Sequence, residues 1–316
     1  KVSKVATFLP INGFITQQKL WLEGQIVLIN PKYLEYQASD SVFKNSYRLY
    51  KLYTPKHVKF RVIDLHYEGE KKWEVTLDDA GYFRVTLDVD EGIDPNAIQY
   101  FLGESKIEIH KPKYSLNNIY KIADDGKVIV SDIDDTVLVS HATNKWKKIS
   151  TLIKYGALQR QQVEAMNEFF QHMNKNHGVI YLSNSEMNLY PLIKSFLNQH
   201  NFPLGPLFLR EHMNISQVIR RKYRYSQSKQ HKTNTLQLLM ESFPNKKFIL
   251  VGDSGQKDPE IYLTIAKQFS SQVEKIFIRE IKTGNKKKRL NEIKIQLKEL
   301  GIEFVLFHSA KNLLPL

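Results

Sequence analysis

The sequence predicts two domains of different class: a β-rich, sandwich-like domain over residues 1–112, then an α/β domain over residues 113–316 with a mainly parallel sheet and flanking helices. Three observations carry this reading. From Lys127 onward, short apolar runs alternate with helical patterns, and such alternation implies βαβ units. Before residue 112 the pattern is instead of short strands with turn signals, as in a sandwich. Between them, Lys111 to Gly126 collects turn formers in Pro112, Asn117-Asn118 and Asp124-Asp125-Gly126.

In the first domain Gln25–Ile29, Val58–Leu65, Trp73–Leu77 and Tyr82–Val89 are the candidate strands. Phe83, Val85, Leu87 and Val89 alternate with Arg84, Thr86, Asp88 and Asp90, so one face is buried and one solvated. Asp78-Asp79-Ala80-Gly81 precedes this strand, and Gly81 can take a positive φ. The expectation is a Trp73–Val89 hairpin with a four-residue connection. Asp64 and His66, near a strand end, read as surface or hydrogen-bonded residues rather than ligands.

In the second domain the expected strands are Val128–Ile133, Val179–Ser183, Lys247–Gly252, Lys275–Arg279 and Glu303–Phe307. The expected helices are Ala157–Lys175, Leu189–His200, Thr233–Phe243, Pro259–Phe269 and Lys286–Leu300. Pro259 suits a first helical turn, where a missing N–H costs nothing. Val163, Met166 and Phe170 fall at helical spacing and read as a core stripe.

Composition narrows the function classes. The chain has 316 residues, enough for two cores, and no apolar run near the ~20 residues of a membrane span. It opens with Lys1 and shows no signal peptide, so location is left open: soluble or peripheral to a membrane, cytoplasmic or secreted. The absence of cysteine excludes disulfides, thiolate catalysis and Cys-based zinc sites. A formal net charge of +13 favours anionic partners, whether phosphorylated substrates, acidic membrane surfaces or nucleic acid; charge alone also serves solubility.

The chemistry concentrates at strand ends. Val128-Ile129-Val130 is a β-branched run that gives way to Asp132, Asp134 and Asp135. Carboxylates a few Å apart oppose one another's ionisation, and a hard divalent cation relieves that cost. The carboxyl end of a strand is also where open α/β sheets place their ligands. The next strand finishes in Ser183-Asn184-Ser185, whose hydroxyl could donate to a phosphoryl oxygen or cap a helix. Lys229 and Lys232 precede the helix of Leu236 and Leu239, and either could neutralise a phosphate or lie in solvent. A further strand ends in Gly252-Asp253, with Asp258 five residues on. Gly252 allows close approach of the backbone, and Asp253 is a further oxygen ligand.

Acids, hydroxyl, Lys and acids thus come at strand ends in a fixed order. This resembles the haloacid dehalogenase (HAD) superfamily of phosphotransferases, whose Asp-x-Asp-x-Thr motif is met by Asp132, Asp134 and Thr136. Ser-Asp-Ile-Asp-Asp-Thr-Val at 131–137, Tyr-Leu-Ser-Asn-Ser at 181–185 and Gly-Asp-Ser-Gly-Gln-Lys-Asp-Pro-Glu-Ile-Tyr at 252–262 are similar to the actin-patch type of phosphatidate phosphatase. Phe-Pro at 243–244 and Ile-Phe-Ile-Arg at 276–279 fit that type too. Asp-Ala-Gly-Tyr-Phe-Arg-Val at 79–85 is similar to β-rich domains that precede it. Glu186 departs from the pattern, because the family usually has Pro after Ser-x-Ser.

The resemblance implies a HAD-like Rossmannoid sheet and a phosphatase that converts phosphatidate to diacylglycerol and phosphate. It implies Asp132 as nucleophile, forming an aspartyl-phosphate, and Asp134 as acid and base. It implies Mg²⁺ held by Asp132, Asp134 and Asp253, with Asp258 completing the metal set. Ser183, Asn184 and Lys232 would hold the phosphate. Two alternatives stay open: a soluble phosphomonoester as substrate, or a phosphatidate-binding module without catalysis, against which Asp132 and Asp134 argue. From Arg210 to Lys232, seven Lys or Arg stand against the single acid Glu211. Arg220-Arg221-Lys222-Tyr223-Arg224-Tyr225 therefore reads as a loop that docks on acidic lipid, or as a solvated basic loop; no nucleic-acid partner is expected. Lys286–Arg289 reads as a solvated helix face.

Overall fold

A computed structural model describes residues 4–34, 41–53, 56–107, 119–138, 162–175, 177–210, 221–281 and 287–314. The described residues divide into two compact units. The first holds those up to Ala123 together with Met187–Gln199; the second holds those from Asp124 to Glu186 and from His200 onward.

In the first unit, β1 (Val5–Ile15) and β2 (Lys19–Ile29) form a long antiparallel pair, Val5 facing Ile29 and Ile15 facing Leu20. Their register slips between Phe8 and Ile11, where Pro10 has no N–H to offer the ladder. Helix α1 (Val42–Tyr53) follows; the Ser41 hydroxyl accepts from the Lys44 N–H at its start. Then come β3 (Lys56–His57), β4 (Val62–Tyr67), β5 (Glu70–Thr76), β6 (Tyr82–Asp88), β7 (Gln99–Leu102), β8 (Ser105–Ile107) and β9 (Ile119–Lys121). One sheet runs β3-β2-β1-β9 with β6 also on β2; the other runs β5-β4-β7-β8. Ile11, Leu20, Leu22, Ile26, Phe83 and Leu87 from the first sheet share one core with Ile63, Leu65, Val75, Tyr100 and Leu102 from the second. Each such side chain contributes roughly 1.5–3 kcal/mol by burial.

The expected hairpin is corrected here. β5 pairs with β4 and β6 pairs with β2, so the connection at 78–81 crosses between the two sheets. The turn itself is as the sequence reads: Gly81 has φ +77, and the Asp78 carboxylate accepts from the N–H groups of Ala80 and Tyr82. The alternation of β6 also holds, with Phe83 and Leu87 buried and Arg84 and Thr86 exposed. His66 packs on the Phe101 ring at 4.4 Å, and Asp64 pairs with Lys71.

In the second unit the strands are β10 (Lys127–Ser131), β11 (Gly178–Glu186), β12 (Leu207–Arg210), β13 (Lys247–Asp253), β14 (Val273–Arg279) and β15 (Glu303–Phe307). They form one parallel sheet in the order β12-β11-β10-β13-β14-β15. The chain winds outward from β10 on one side and from β13 on the other, so the strand order reverses between them. The helices are α2 (Met166–Asn174), α3 (Tyr190–Gln199), α4 (Arg221–Ser242), α5 (Asp258–Gln268) and α6 (Lys287–Glu299). No helix among the described residues is long and apolar enough to cross a membrane.

Several segments differ from the sequence reading. The strand expected over Val58–Leu65 starts only at Val62, and of the helix expected over Ala157–Lys175 the described residues are helical over Met166–Asn174. Helix α3 belongs to the first unit, although it follows directly on the β11 motif. There Lys194, buried, donates to the Tyr120 hydroxyl and stacks on its ring at 4.9 Å. The basic stretch expected as a loop is helical in backbone from Arg221 onward. Arg220, and the side chains of residues 221–229, lie outside the described residues.

Candidate active site

The site lies at the carboxyl ends of β10, β11 and β13, where the strand order reverses and an open α/β sheet leaves a crevice. Asp132 follows β10, and its N–H is held by the Val251 carbonyl of β13. The chain then turns tightly: the N–H groups of Val137 and Leu138 both reach the Ile133 carbonyl, and Asp135 sits at φ +62. That left-handed conformation is one Asp tolerates better than most residues. Arg279, at the end of β14, donates to the Asp135 carbonyl at 2.6 Å and clamps the turn.

Asp132, Asp253 and Asp258 are all buried, and each offers a carboxylate oxygen within 4.8 Å of the others. Lys232, also buried, donates to Asp132 Oδ1 at 2.7 Å and to Asp258 Oδ1 at 2.5 Å. The Thr136 hydroxyl donates to Asp132 Oδ2 at 3.2 Å. Asp253 is fixed by the N–H groups of Gly255, 2.5 Å, and Gln256, 3.0 Å. Gly252 is required by space, since a Cβ there would lie 2.8 Å from Asp258 Cβ and 2.9 Å from Tyr262 Cε2. Asp134 is held differently. Its Oδ2 accepts from the hydroxyls of Ser183, 3.1 Å, and Ser185, 2.9 Å. Gln256 Nε2 bridges the Asp134 carbonyl and Asp253 Oδ2, both at 3.2 Å.

Burial dominates the electrostatics. Desolvation raises the Asp132 carboxyl well above its usual value, against the opposing pull of Lys232. Desolvation, with Asp258 beside it, pushes Asp253 up to about 7. Burial also opposes the charge on Lys232, but Asp132 and Asp258 overcome it and hold the ammonium firmly protonated. Among the described residues, one bridging lysine stands against three buried carboxylates, a crowding of negative charge that a hard divalent ion with oxygen ligands fits.

The residues singled out in the sequence thus meet here. Ser183 contacts Asp134 and also accepts from the Ser185 N–H. Asn184 is half-buried beside them, with no hydrogen-bond partner for its Oδ1 among the described residues. Lys232 is the lysine seen at the acids; the Lys229 side chain lies outside the described residues. Glu186 pairs with Arg210 across β11 and β12 at 3.1 Å, both nearly buried, where the ladder resumes after slipping at Ser183–Ser185. The sequence reading missed four contributors. Ser185 could have been found, because i and i+2 share a strand face. Arg279 sits at a strand end opposite Asp253, a position that strand-end logic flags. Gln256 lies inside the Gly-Asp-Ser-Gly-Gln run that carries the resemblance, but neither its type nor its spacing marked it as a contributor. Arg289, expected in solvent, donates to the Ser254 carbonyl at 3.0 Å and lies 3.4 Å from Glu260.

Residues 127–280 match the family model described as the catalytic domain of phosphatidate phosphatase APP1. The chain is 32% identical over 154 residues to phosphatidate phosphatase APP1 of Saccharomyces cerevisiae, covering 48% of this chain and 25% of that protein. It is 26% identical over 244 residues to an uncharacterized protein of Schizosaccharomyces pombe, covering 75% of this chain and 38% of that one. The chain therefore spans well under half the length of either relative. A solved carbohydrate esterase aligns over 90% of the chain at a TM-score of 0.25 and 9% identity, too low to bear on fold or function. The family resemblance of the motifs is supported over this segment: residues 127–280 are similar to the catalytic domain of the APP1 type of phosphatidate phosphatase.

Proposed function

We propose that the chain is a Mg²⁺-dependent phosphatidate phosphatase that works through an aspartyl-phosphate. The observation that carries this is the buried Asp132–Asp253–Asp258 trio with Lys232 bridging two of its members, within the segment matching the APP1 catalytic domain. In the proposal an Asp132 carboxylate oxygen attacks phosphorus, and the bond from phosphorus to the glyceride oxygen breaks. Asp134 gives its proton to that oxygen, releasing diacylglycerol. Water then attacks phosphorus, Asp134 takes its proton, and the acyl-phosphate bond breaks to return Asp132 and free phosphate. Dividing the reaction this way replaces one hard step by two easier ones. The Ser183 and Ser185 hydroxyls suit Asp134 to this role, since they hold its carboxyl group in one orientation.

Asp132, the Asp134 carbonyl and Asp253 would hold Mg²⁺, with Asp258 orienting Lys232. When bound, the ion neutralises charge on the phosphoryl oxygens and keeps the buried carboxylates ionised. Asn184 would add a phosphate contact through its amide. The deciding experiment is phosphate release from phosphatidate in mixed micelles, set against soluble phosphate monoesters. Turnover of phosphatidate, lost in chelator and restored by Mg²⁺, is the expected result. Turnover of the soluble esters alone would replace the lipid by a soluble substrate, and undiminished activity in chelator would remove the metal from the proposal.

A further inference from the structure

Seven large hydrophobic side chains are well exposed among the described residues, and three of them lie on one short helix: Phe43 at 80%, Tyr47 at 45% and Tyr50 at 58%. Their spacing, i, i+4 and i+7, puts them in a single stripe along α1. The opposite face of the helix is settled in the protein, where Asn45, Arg48 and Leu52 are buried. Burial of this helix therefore needs nothing from the aromatic side. Singly exposed hydrophobics are ordinary, but a contiguous aromatic face marks an interaction surface.

The chemistry of the face is mixed in a particular way. Tyr47 and Tyr50 are 6.4 Å apart, and Tyr33 meets Tyr47 edge-on at 5.8 Å. Lys51 lies over both Tyr47 and Tyr50, at 5.0 and 5.2 Å, and Lys32 lies over Tyr33 at 5.2 Å. Lys44 is exposed beside Phe43, and α1 contains no acidic residue at all. Rings with a polar tip and lysines on long stems are the groups that settle at headgroup depth, the ring in the acyl boundary and the ammonium on a phosphate. A helix with one apolar aromatic face, basic flanks and no acids lies in a membrane interface rather than across it.

We propose that α1 is a docking helix for an anionic lipid surface, with Phe43 as the inserting side chain and Lys32, Lys44 and Lys51 as the phosphate contacts. The proposal takes its choice of partner from the lipid-phosphatase reading, and gives the β-rich unit a task in that reaction. It differs from a phosphate-pocket role because every group named is in the first unit, outside the catalytic constellation.

The test measures binding without turnover. The full chain is sedimented with vesicles of phosphatidylcholine containing about one fifth phosphatidylserine, an anionic lipid that is not the substrate. Phe43→Ser, at so exposed a position, leaves the fold intact and should weaken vesicle binding about tenfold or more, as should Lys44→Glu with Lys51→Glu. Phe43→Trp should keep binding, and the indole emission it adds should shift blue and be quenched by brominated lipid. Hydrolysis of a soluble phosphate ester should be unchanged in all of these variants. Wild-type vesicle affinity in Phe43→Ser, or an added emission in Phe43→Trp that vesicles leave unmoved, overturns the proposal. So does a variant that alters only self-association, which would make the stripe a contact between copies of the chain. Failure to hydrolyse phosphatidate with vesicle docking intact would count against the reaction and leave the docking helix standing.

Discussion

Glu23 in the β-rich unit and Asp132 in the α/β unit are buried to the same degree, each 1% exposed, but their surroundings answer that burial in opposite ways. Glu23 faces groups already able to satisfy it: Asn12 and Tyr82 donate to it at 3.4 Å, and Arg84 reaches it at 3.0 Å from the neighbouring strand. Its charge balance is closed. Asp132 shares one lysine with Asp258 while Asp253 stands beside them, so among the described residues negative charge is left over. A closed cluster stabilises or tolerates a fold; an open one is suited to take up a cation and a phosphate. The comparison shows that a buried acid by itself says nothing of function, and that the count of cations facing it does.

The largest way to break the open cluster is Asp132→Asn. An amide is a poor nucleophile, so phosphatase turnover should fall roughly 10⁴-fold or more, with the fold retained by circular dichroism. Wild-type turnover in this variant would end the aspartyl-phosphate mechanism. Lys232→Met comes next. It leaves Asp132 and Asp258 buried without their counter-charge and should cost the α/β unit roughly 3–5 kcal/mol in denaturant unfolding. Mg²⁺ should restore part of that loss.

The third prediction uses pH. Asp253 has its folded value raised to about 7. Its contribution is therefore full below the unfolded carboxyl value and lost as pH rises through 7. Without metal, the melting temperature of the α/β unit should fall between about pH 4 and 7. Saturating Mg²⁺ should flatten that fall, because it binds the ionised carboxylates. A melting curve indifferent to Mg²⁺ at pH 7.5 would separate the acids from metal binding.

The closed cluster should respond more weakly and without metal. Burial raises Glu23 to about 7 despite Arg84, so its stability contribution also declines from its unfolded value up to about pH 7. Glu23→Gln should remove that slope and raise stability at pH 8 by roughly 1–3 kcal/mol, with no change on adding Mg²⁺. The smallest effect of a substitution at high pH is expected at Lys194, which burial lowers to about 7. The unfolded chain binds the extra proton there, so stability should rise with pH between 7 and the ordinary lysine value. Lys194→Met should abolish that rise and leave stability at high pH within about 1 kcal/mol of wild type.

Much of the site was legible from residues alone. Asp132, Asp134, Ser183, Asp253 and Asp258 each stand at or near the point where a strand ends or a helix begins, and the parallel sheet brings such ends together whatever the details of packing; Lys232, expected just before a helix, instead reaches the acids from the middle of α4. What escaped were the supporting contacts. Gln256 bridges Asp134 and Asp253, and Arg289 holds the Ser254 carbonyl, through side chains whose reach depends on loop geometry rather than on spacing.

By itself, the sequence determined the class of each half, the faces of its strands and the order of its acids, because side-chain period and turn chemistry are local properties. It determined that β6 buries Phe83 and Leu87, but not that β6 would leave β5 and pair with β2. Strand period specifies a face, and the choice of partner is made by core contacts distant in sequence, here between β2 and a strand some sixty residues away. In the same way Leu189–His200 was readable as a helix, while only the tertiary structure decided that α3 packs with the β-rich unit. An apolar stripe needs a partner surface, and nothing in the stripe says which of two cores supplies it.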